Sequence, residues 1–247
     1  MGNKKKRLIL PLIVALALTL WPARVISVEA NETARLSPLA VPVRNLWGAP
    51  KNESVGLTLT QSDKVVGWSW TREWPLQRPG VNYIQPIYPN ARITLSPPVT
   101  VNDIEAFQLF AEYNYTRQPE GSYNLAYDVF LREKGPAKDN RKAEIMVWFD
   151  WTLEQSAKTF KGTCSDGVNT YKHYSWTRAN SFDYHSFLLE LPPGKVPGPV
   201  NLKALIDIVQ PDIKWYISEV ELGNEVWSGS GAIELTTYYL ELNGTRM

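Results

Sequence analysis

From Val43 onward the chain is written in short extended runs. Val, Ile, Thr, Tyr and Trp cluster in stretches broken at close intervals by Gly, Pro and Asn, a pattern suited to pleated, half-buried strands. Expected strands are Val43–Trp47, Val55–Thr60, Val65–Trp70, Arg92–Leu95, Ala106–Tyr115, Leu125–Glu133, Ala143–Thr152, Tyr171–Ala179, Ser181–Leu191, Trp215–Leu222 and Ala232–Leu242. The punctuation includes Pro97-Pro98, Gln118-Pro-Glu-Gly121, Gly135-Pro136 and Pro192-Pro-Gly194. Only Leu202, Leu205, Ile206 and Val209 follow the i, i+3, i+4, i+7 spacing of a helix, which predicts one short helix over 202–209. No internal repeat or low-complexity segment interrupts the pattern. Such a chain folds as an all-β sandwich of two packed antiparallel sheets. One sheet face must then meet solvent, where aromatic side chains are costly unless they bind something. The sequence holds ten tryptophans.

The first thirty residues read as something other than fold. Lys4, Lys5, Lys6 and Arg7 precede an apolar run from Leu8 to Trp21. That run falls short of the roughly twenty residues a membrane-spanning helix needs. Val28-Glu29-Ala30 is a small-x-small cleavage site, so residues 1–30 are expected to be a secretory signal peptide and the protein to be extracellular. An uncleaved N-terminal anchor is the alternative. Residues 31–42 are polar, contain two prolines and read as a tether; 43–247 form one domain. Losing Lys4, Lys5, Lys6, Arg7, Arg24 and Glu29 removes five positive charges and one negative, turning a net +1 into −3. No basic face for nucleic acid is indicated. Once the signal is cleaved no membrane partner is expected, and the protein is expected to be a monomer. Cys164 is the single cysteine, so no intrachain disulfide can form. His173 and His185 lack metal-ligand spacing, and no metal is expected. Sequons occur at Asn31, Asn52, Asn114 and Asn243.

Two segments carry chemistry. Strand alternation puts Glu144, Met146, Trp148 and Asp150 on one face, and Ile145, Val147, Phe149 and Trp151 on the other. Glu221, Gly223, Glu225 and Trp227 likewise share a face. A carboxylate beside Trp and Met on a sheet surface suits a sugar, whose ring stacks on indole, and glycosidic cleavage uses two carboxylates. Glu144 and Glu225 are the leading candidates; Asp128, Glu219 and Glu221 compete. Trp68 and Trp70 share a face that is either core or cleft.

Five elements in order resemble glycoside hydrolase family 12, the small β-jelly-roll endoglucanases. Asn45-Leu-Trp-Gly48, Tyr88-Pro-Asn90, Tyr127-Asp128, Glu144-Ile-Met-Val-Trp148 and Gly223-Asn-Glu-Val-Trp-Ser-Gly229 are similar to the family's motifs. Asn224, Val226 and Trp227 stand where the family usually has Thr, Pro and Phe. These departures put the substrate range in question, and the N-terminal disulfide of many members is impossible here. The resemblance implies a jelly-roll sandwich with a concave cleft. It also implies a secreted endo-β-1,4-glucanase acting with retention of configuration on cellulose-type, mixed-linkage or xyloglucan chains, without a cofactor. Glu144 would be the nucleophile and Glu225 the acid/base, their carboxyls about 5–5.5 Å apart. Asp128 would share a proton with Glu144 and orient it. Trp47 and Trp148 would be stacking platforms, with Asn45 and Met146 lining adjacent subsites. The rival expectations are a non-catalytic carbohydrate-binding jelly roll and a xylanase.

Overall fold

The computed structural model describes residues 24–26, 36–37, 39–46, 49, 55–62, 64–73, 85–118, 120–133, 140–152, 158–177, 182–191 and 199–247. Trp47, Trp74, Asn31, Asn52 and nearly all of the expected signal peptide lie outside them. The strands are β1 (Arg24–Ile26), β2 (Val41–Val43), β3 (Val55–Gln61), β4 (Val66–Arg72), β5 (Asn90–Thr100), β6 (Phe107–Arg117), β7 (Ser122–Arg132), β8 (Arg141–Trp151), β9 (Thr159–Ser165), β10 (Thr170–Thr177), β11 (Asp183–Glu190), β12 (Val200–Asn201), β13 (Tyr216–Gly223), β14 (Val226–Leu242) and β15 (Thr245–Arg246), with one helix, α1 (Leu202–Val209).

The inner sheet runs β2-β5-β13-β7-β8-β11-β10-β9, and the outer sheet runs β3-β4-β14-β6 with β1 and β12 on the far edge of β6. The start of β14 also pairs with β7 at Val226 and Ser228, so one strand passes from the inner sheet to the outer. The fold is thus a jelly-roll sandwich. One pair departs from the expected antiparallel rule: β8 and β11 run parallel. Strand β9 is laid at the outer edge, and the β9-β10-β11 meander returns inward, so β11 arrives in the sense of β9 rather than opposite to β8.

Alternation sorts the inner sheet. Ala143, Ile145 and Val147 of β8, Val129 and Leu131 of β7, and Val220 and Leu222 of β13 are buried between the sheets against Trp68, Trp70, Ile233 and Leu235. Fully burying a side chain of this kind is worth about 1.5–3 kcal/mol, so this layer holds the sandwich together. Trp68 and Trp70 are therefore core. The opposite face of β8 carries Glu144, Met146 and Trp148, and packs into a second, smaller cluster of Ala126, Met146, Trp148, Tyr184 and Leu188.

Helix α1 spans the predicted residues. Asn201 caps its start, its side chain accepting from the Ala204 N–H at 3.2 Å, and Gln210 ends it in the left-handed region with its N–H on the Ile206 carbonyl. Residues 41 and 42, expected in the tether, join β2 and pair with β5. Pro97-Pro98, expected to end a strand, lies inside β5 opposite a register shift in β13, where a ladder bond is already missing and proline is tolerated.

Candidate active site

Register alone assembles the solvent-facing side of the inner sheet. Glu144 sits between Phe130 on β7 and Tyr184 on β11. Met146 sits between Asp128 and Ser186, and Trp148 between Ala126 and Leu188. Across β7, Asp128 faces Glu221 and Ala126 faces Gly223. Four acids from three segments therefore share one surface: Glu144 from β8, Asp128 from β7, and Glu221 and Glu225 from β13 and the joint after it.

The alternation of β8 does not hold to its end. Ala126 pairs with Trp148 but Leu125 pairs with Asp150, which leaves Phe149 without a partner of its own, a β-bulge. The extra residue switches the faces. Trp151 packs with Trp148 in the cleft-side cluster, their ring centroids 6.4 Å apart. Asp150 turns away to pair with Arg117 Nε at 2.5 Å, and that guanidinium lies over the Tyr123 ring. The expectation that Asp150 shares the face of Glu144 and Trp151 the other is thereby corrected.

Glu225 is held by Asn124. The Asn124 amide donates to Glu225 Oε2 at 2.6 Å, its side-chain oxygen accepts from the Glu225 N–H at 2.9 Å, and its backbone N–H donates to the Glu225 carbonyl at 3.0 Å. Asn224, fully buried, anchors the same turn from below. Its side-chain oxygen accepts from Trp68 Nε1 at 3.0 Å, and its amide donates to the Asn124 carbonyl at 2.7 Å. Gly223 admits no side chain: a Cβ there would lie 2.7 Å from the Pro89 carbonyl oxygen and 2.8 Å from the Tyr88 ring. The departures from the family motif thus leave Glu225 tied into both sheets.

Charge crowds this surface. Burial, then the Glu225 charge, pushes the Glu144 carboxyl up to about 8, against the pull of Arg141 and Lys158. Burial raises Glu225 as well, while the Asn124 hydrogen bond and Lys158 favour its charged form. Asp128, 5 % exposed, is raised by burial and then by Glu144, and its Oδ1 has no hydrogen-bond partner among the described residues. Glu221 and Glu219 are spoken for: Arg92 pairs with Glu221, and Arg132 Nη2 with Glu219 Oε1 at 2.6 Å.

Lys158 has no signature in the sequence. Its ammonium lies 4.0 Å from the Tyr184 ring centroid and 4.9 Å from that of Trp148. Burial pushes it down to about 8, while the charges of Glu225 and Glu144 oppose the drop. Trp148 is 2 % exposed and lies beneath this cation, so it forms the floor of the cleft rather than the open platform expected of it. Met146 is buried beside it and accepts a contact from the Tyr184 hydroxyl at 3.1 Å. Asn45 is half-buried, and its carbonyl accepts from the N–H of Tyr88, a residue whose phenol is raised by burial and then by the charges of Asp128, Glu221 and Glu225. Trp47 lies outside the described residues. Neither the burial of Asn124 nor the docking of Lys158 has a period or motif in the sequence that could have revealed it.

A jelly roll with an acidic, aromatic-floored concave face is the class that fold and site define. The chain belongs to Glycosyl hydrolase family 12, whose sequence profile matches residues 38–243. It is 22% identical over 216 residues to Endoglucanase S of Pectobacterium parmentieri, covering 80% of each chain. Among solved structures it resembles a family 12 xyloglucanase from Bacillus licheniformis, with TM-score 0.66, 23% identity, and 81% of this chain and 91% of that one covered. It also resembles endoglucanase 3 of Trichoderma harzianum, with TM-score 0.65, 19% identity, and 87% and 100% covered.

Proposed function

We propose that the protein is a secreted, monomeric endo-β-1,4-glucanase that hydrolyses internal bonds of a β-glucan with retention of configuration. The observation that carries this reading is the convergence of Glu144 and Glu225 on one cleft face, close enough that the Glu225 charge raises the proton affinity of Glu144 second only to burial. Two carboxyls so coupled hold one proton between them near neutral pH. In the free site Glu144 is the group whose proton affinity burial and the Glu225 charge raise. The productive arrangement is the reverse, with Glu144 ionised beside Arg141 and Lys158 and the proton on Glu225, so substrate binding must move the proton from one carboxyl to the other. Asn124 occupies Glu225 Oε2, which leaves the second oxygen to deliver the proton to the departing glycosidic oxygen.

Glu144 attacks the anomeric carbon and becomes an ester. Its charge is then gone, Glu225 loses the repulsion that kept it protonated, and it accepts a proton from the incoming water. Asp128, buried and crowded by the Glu144 charge, holds a proton beside the nucleophile and steers it. The relatives named as endoglucanase and xyloglucanase support a β-1,4-glucan backbone as substrate class.

Product analysis on cello-oligosaccharides by NMR tests the reading. β-Anomeric product from a β-glycoside, with internal bonds cut, is expected; α-anomer as first product sinks retention, and no cleavage of any β-glucan favours a carbohydrate-binding protein. Secretion is tested by mass spectrometry of the exported chain, which should begin near Asn31. That cleavage would also remove Arg24–Ile26 and open the edge of β6 at residues 113–115.

A further inference from the structure

Among the described residues, two aromatic side chains are exposed: Trp176 at 47 % and Phe160 at 53 %. Both fall on the cleft face. Strand β10 pairs Trp176 with Tyr184 and Tyr174 with Ser186, and directly paired residues point to the same side of a sheet. Tyr184 packs in the cleft-side cluster and Tyr174 packs against it. On β9 a bulge brings Phe160 opposite Tyr174, and the two rings meet with centroids 5.2 Å apart. Two cross-strand rows result. One runs Glu144, Tyr184, Trp176; the next runs Met146, Ser186, Tyr174, Phe160.

We propose that Trp176, Tyr174 and Phe160 form an aromatic platform that lengthens the glucan cleft past Tyr184, across β10 and β9. The inference rests on the glucanase reading and deepens it by assigning a binding site remote from the reacting bond. Strands step about 4.8 Å apart, so Trp176 lies about two steps and Phe160 about three steps from the Glu144 strand. A glucan lying across the strands presents one sugar face per step or nearly so, and the flat apolar face of a pyranose covers an indole or phenyl ring that water solvates poorly. Continuity with the carboxylates decides in favour of the same polysaccharide chain over an unrelated partner. The rings are in register with Glu144 and Met146, and no strand of opposite parity intervenes; in the first row the Lys158 ammonium lies over the Tyr184 ring between Glu144 and Trp176.

Kinetics on a ladder of cello-oligosaccharides and on soluble β-glucan test this with Trp176→Ala, Phe160→Ala and the conservative Trp176→Tyr. For Trp176→Ala, KM on the polymer and the longest oligomers should rise roughly tenfold with kcat within about twofold, as loss of one ring contact does. The shortest oligomer that is cleaved should show neither change, and the preferred bond in longer ones should shift. Phe160→Ala should act only on longer chains still, and Trp176→Tyr should recover most of the affinity. Equal losses on short and long substrates, or none on either, overturn the platform. So does a wild type that self-associates through this face and becomes monomeric in Trp176→Ala with its kinetics intact. A wild type that releases no reducing ends from any β-glucan removes the hydrolase reading itself, whereas normal hydrolysis with an indifferent Trp176→Ala removes the extension alone.

Discussion

The two faces of β8 are made from adjacent residues and obey opposite rules. Ile145 and Val147 enter the apolar layer between the sheets, where the paired residues on β11 are His185 and Phe187, and their burial stabilises the sandwich. Glu144, one residue away, faces Glu225, Arg141 and Lys158, and crowds Asp128, in a setting that disfavours its own charge. One face holds the fold together; the other stores unfavourable electrostatics that protonation of Glu144 relieves. Even the histidines keep to this division. His173 and His185 lie on the side of Phe187, their ring nitrogens 3.0 Å apart, and burial pushes His173 down to about 4.

The contrast can be broken most severely at Glu144. Glu144→Gln should lower kcat more than about a thousandfold while making the protein harder to unfold at pH 8. The carboxyl's folded-state value is raised from 4.5 to about 8, so its stabilising contribution is complete below 4.5 and is lost as pH rises through 8. Melting curves should therefore coincide for the two proteins at pH 4 and separate with increasing pH; parallel curves at every pH would show that the cleft stores nothing at this position.

Ile145→Ala should do the reverse. It should cost about 2–5 kcal/mol of stability through the cavity it leaves, read as a lower urea midpoint, with kcat of the folded enzyme nearly unchanged. A large kcat loss without destabilisation would mean the two faces are not separable. Lys158→Met sharpens the cleft side. Removing a positive charge that lowers the proton affinity of both Glu144 and Glu225 should move both limbs of the kcat/KM profile to higher pH, with a few-fold loss in kcat; a profile that keeps its limbs would deny Lys158 this role.

The smallest effect belongs to the histidine pair. With His173 lowered from 6.5 to about 4, the unfolded chain binds the proton first, so stability is full above 6.5 and declines toward pH 4. His173→Leu should flatten that decline by on the order of 1 kcal/mol, measured as the difference in melting temperature between pH 7 and pH 5.

The strands and helix that the sequence announced are those whose period is long enough to register. β7, β8, β13 and α1 alternate or recur over a full element and stand close to where the pattern puts them. β1, β2, β12 and β15 are two or three residues long and cannot show a period. β9, with Thr, Lys, Gly and Ser among its seven residues, is wet on both sides and lacks an apolar stripe. In the cleft, Glu144, Glu225 and Asp128 were legible because each sits in a motif. Asn124, Asn224 and Lys158 were not, since each acts across 100 residues or between strands distant in the chain, a relation that only the register creates. Trp148 was placed on the correct face but in the wrong state, because alternation gives direction and says nothing about what lies on top.

Phe149 has its own consequence. Because that residue has no counterpart across the ladder, β8 changes phase partway along its length. Any chimera that exchanges this strand with a relative inherits its phase from where the seam falls. Joined upstream of the unmatched position, the far end of the groove is closed by whatever the donor supplies there. Joined beyond Trp151, it keeps that indole inside and the carboxylate of Asp150 outside, whoever the donor is.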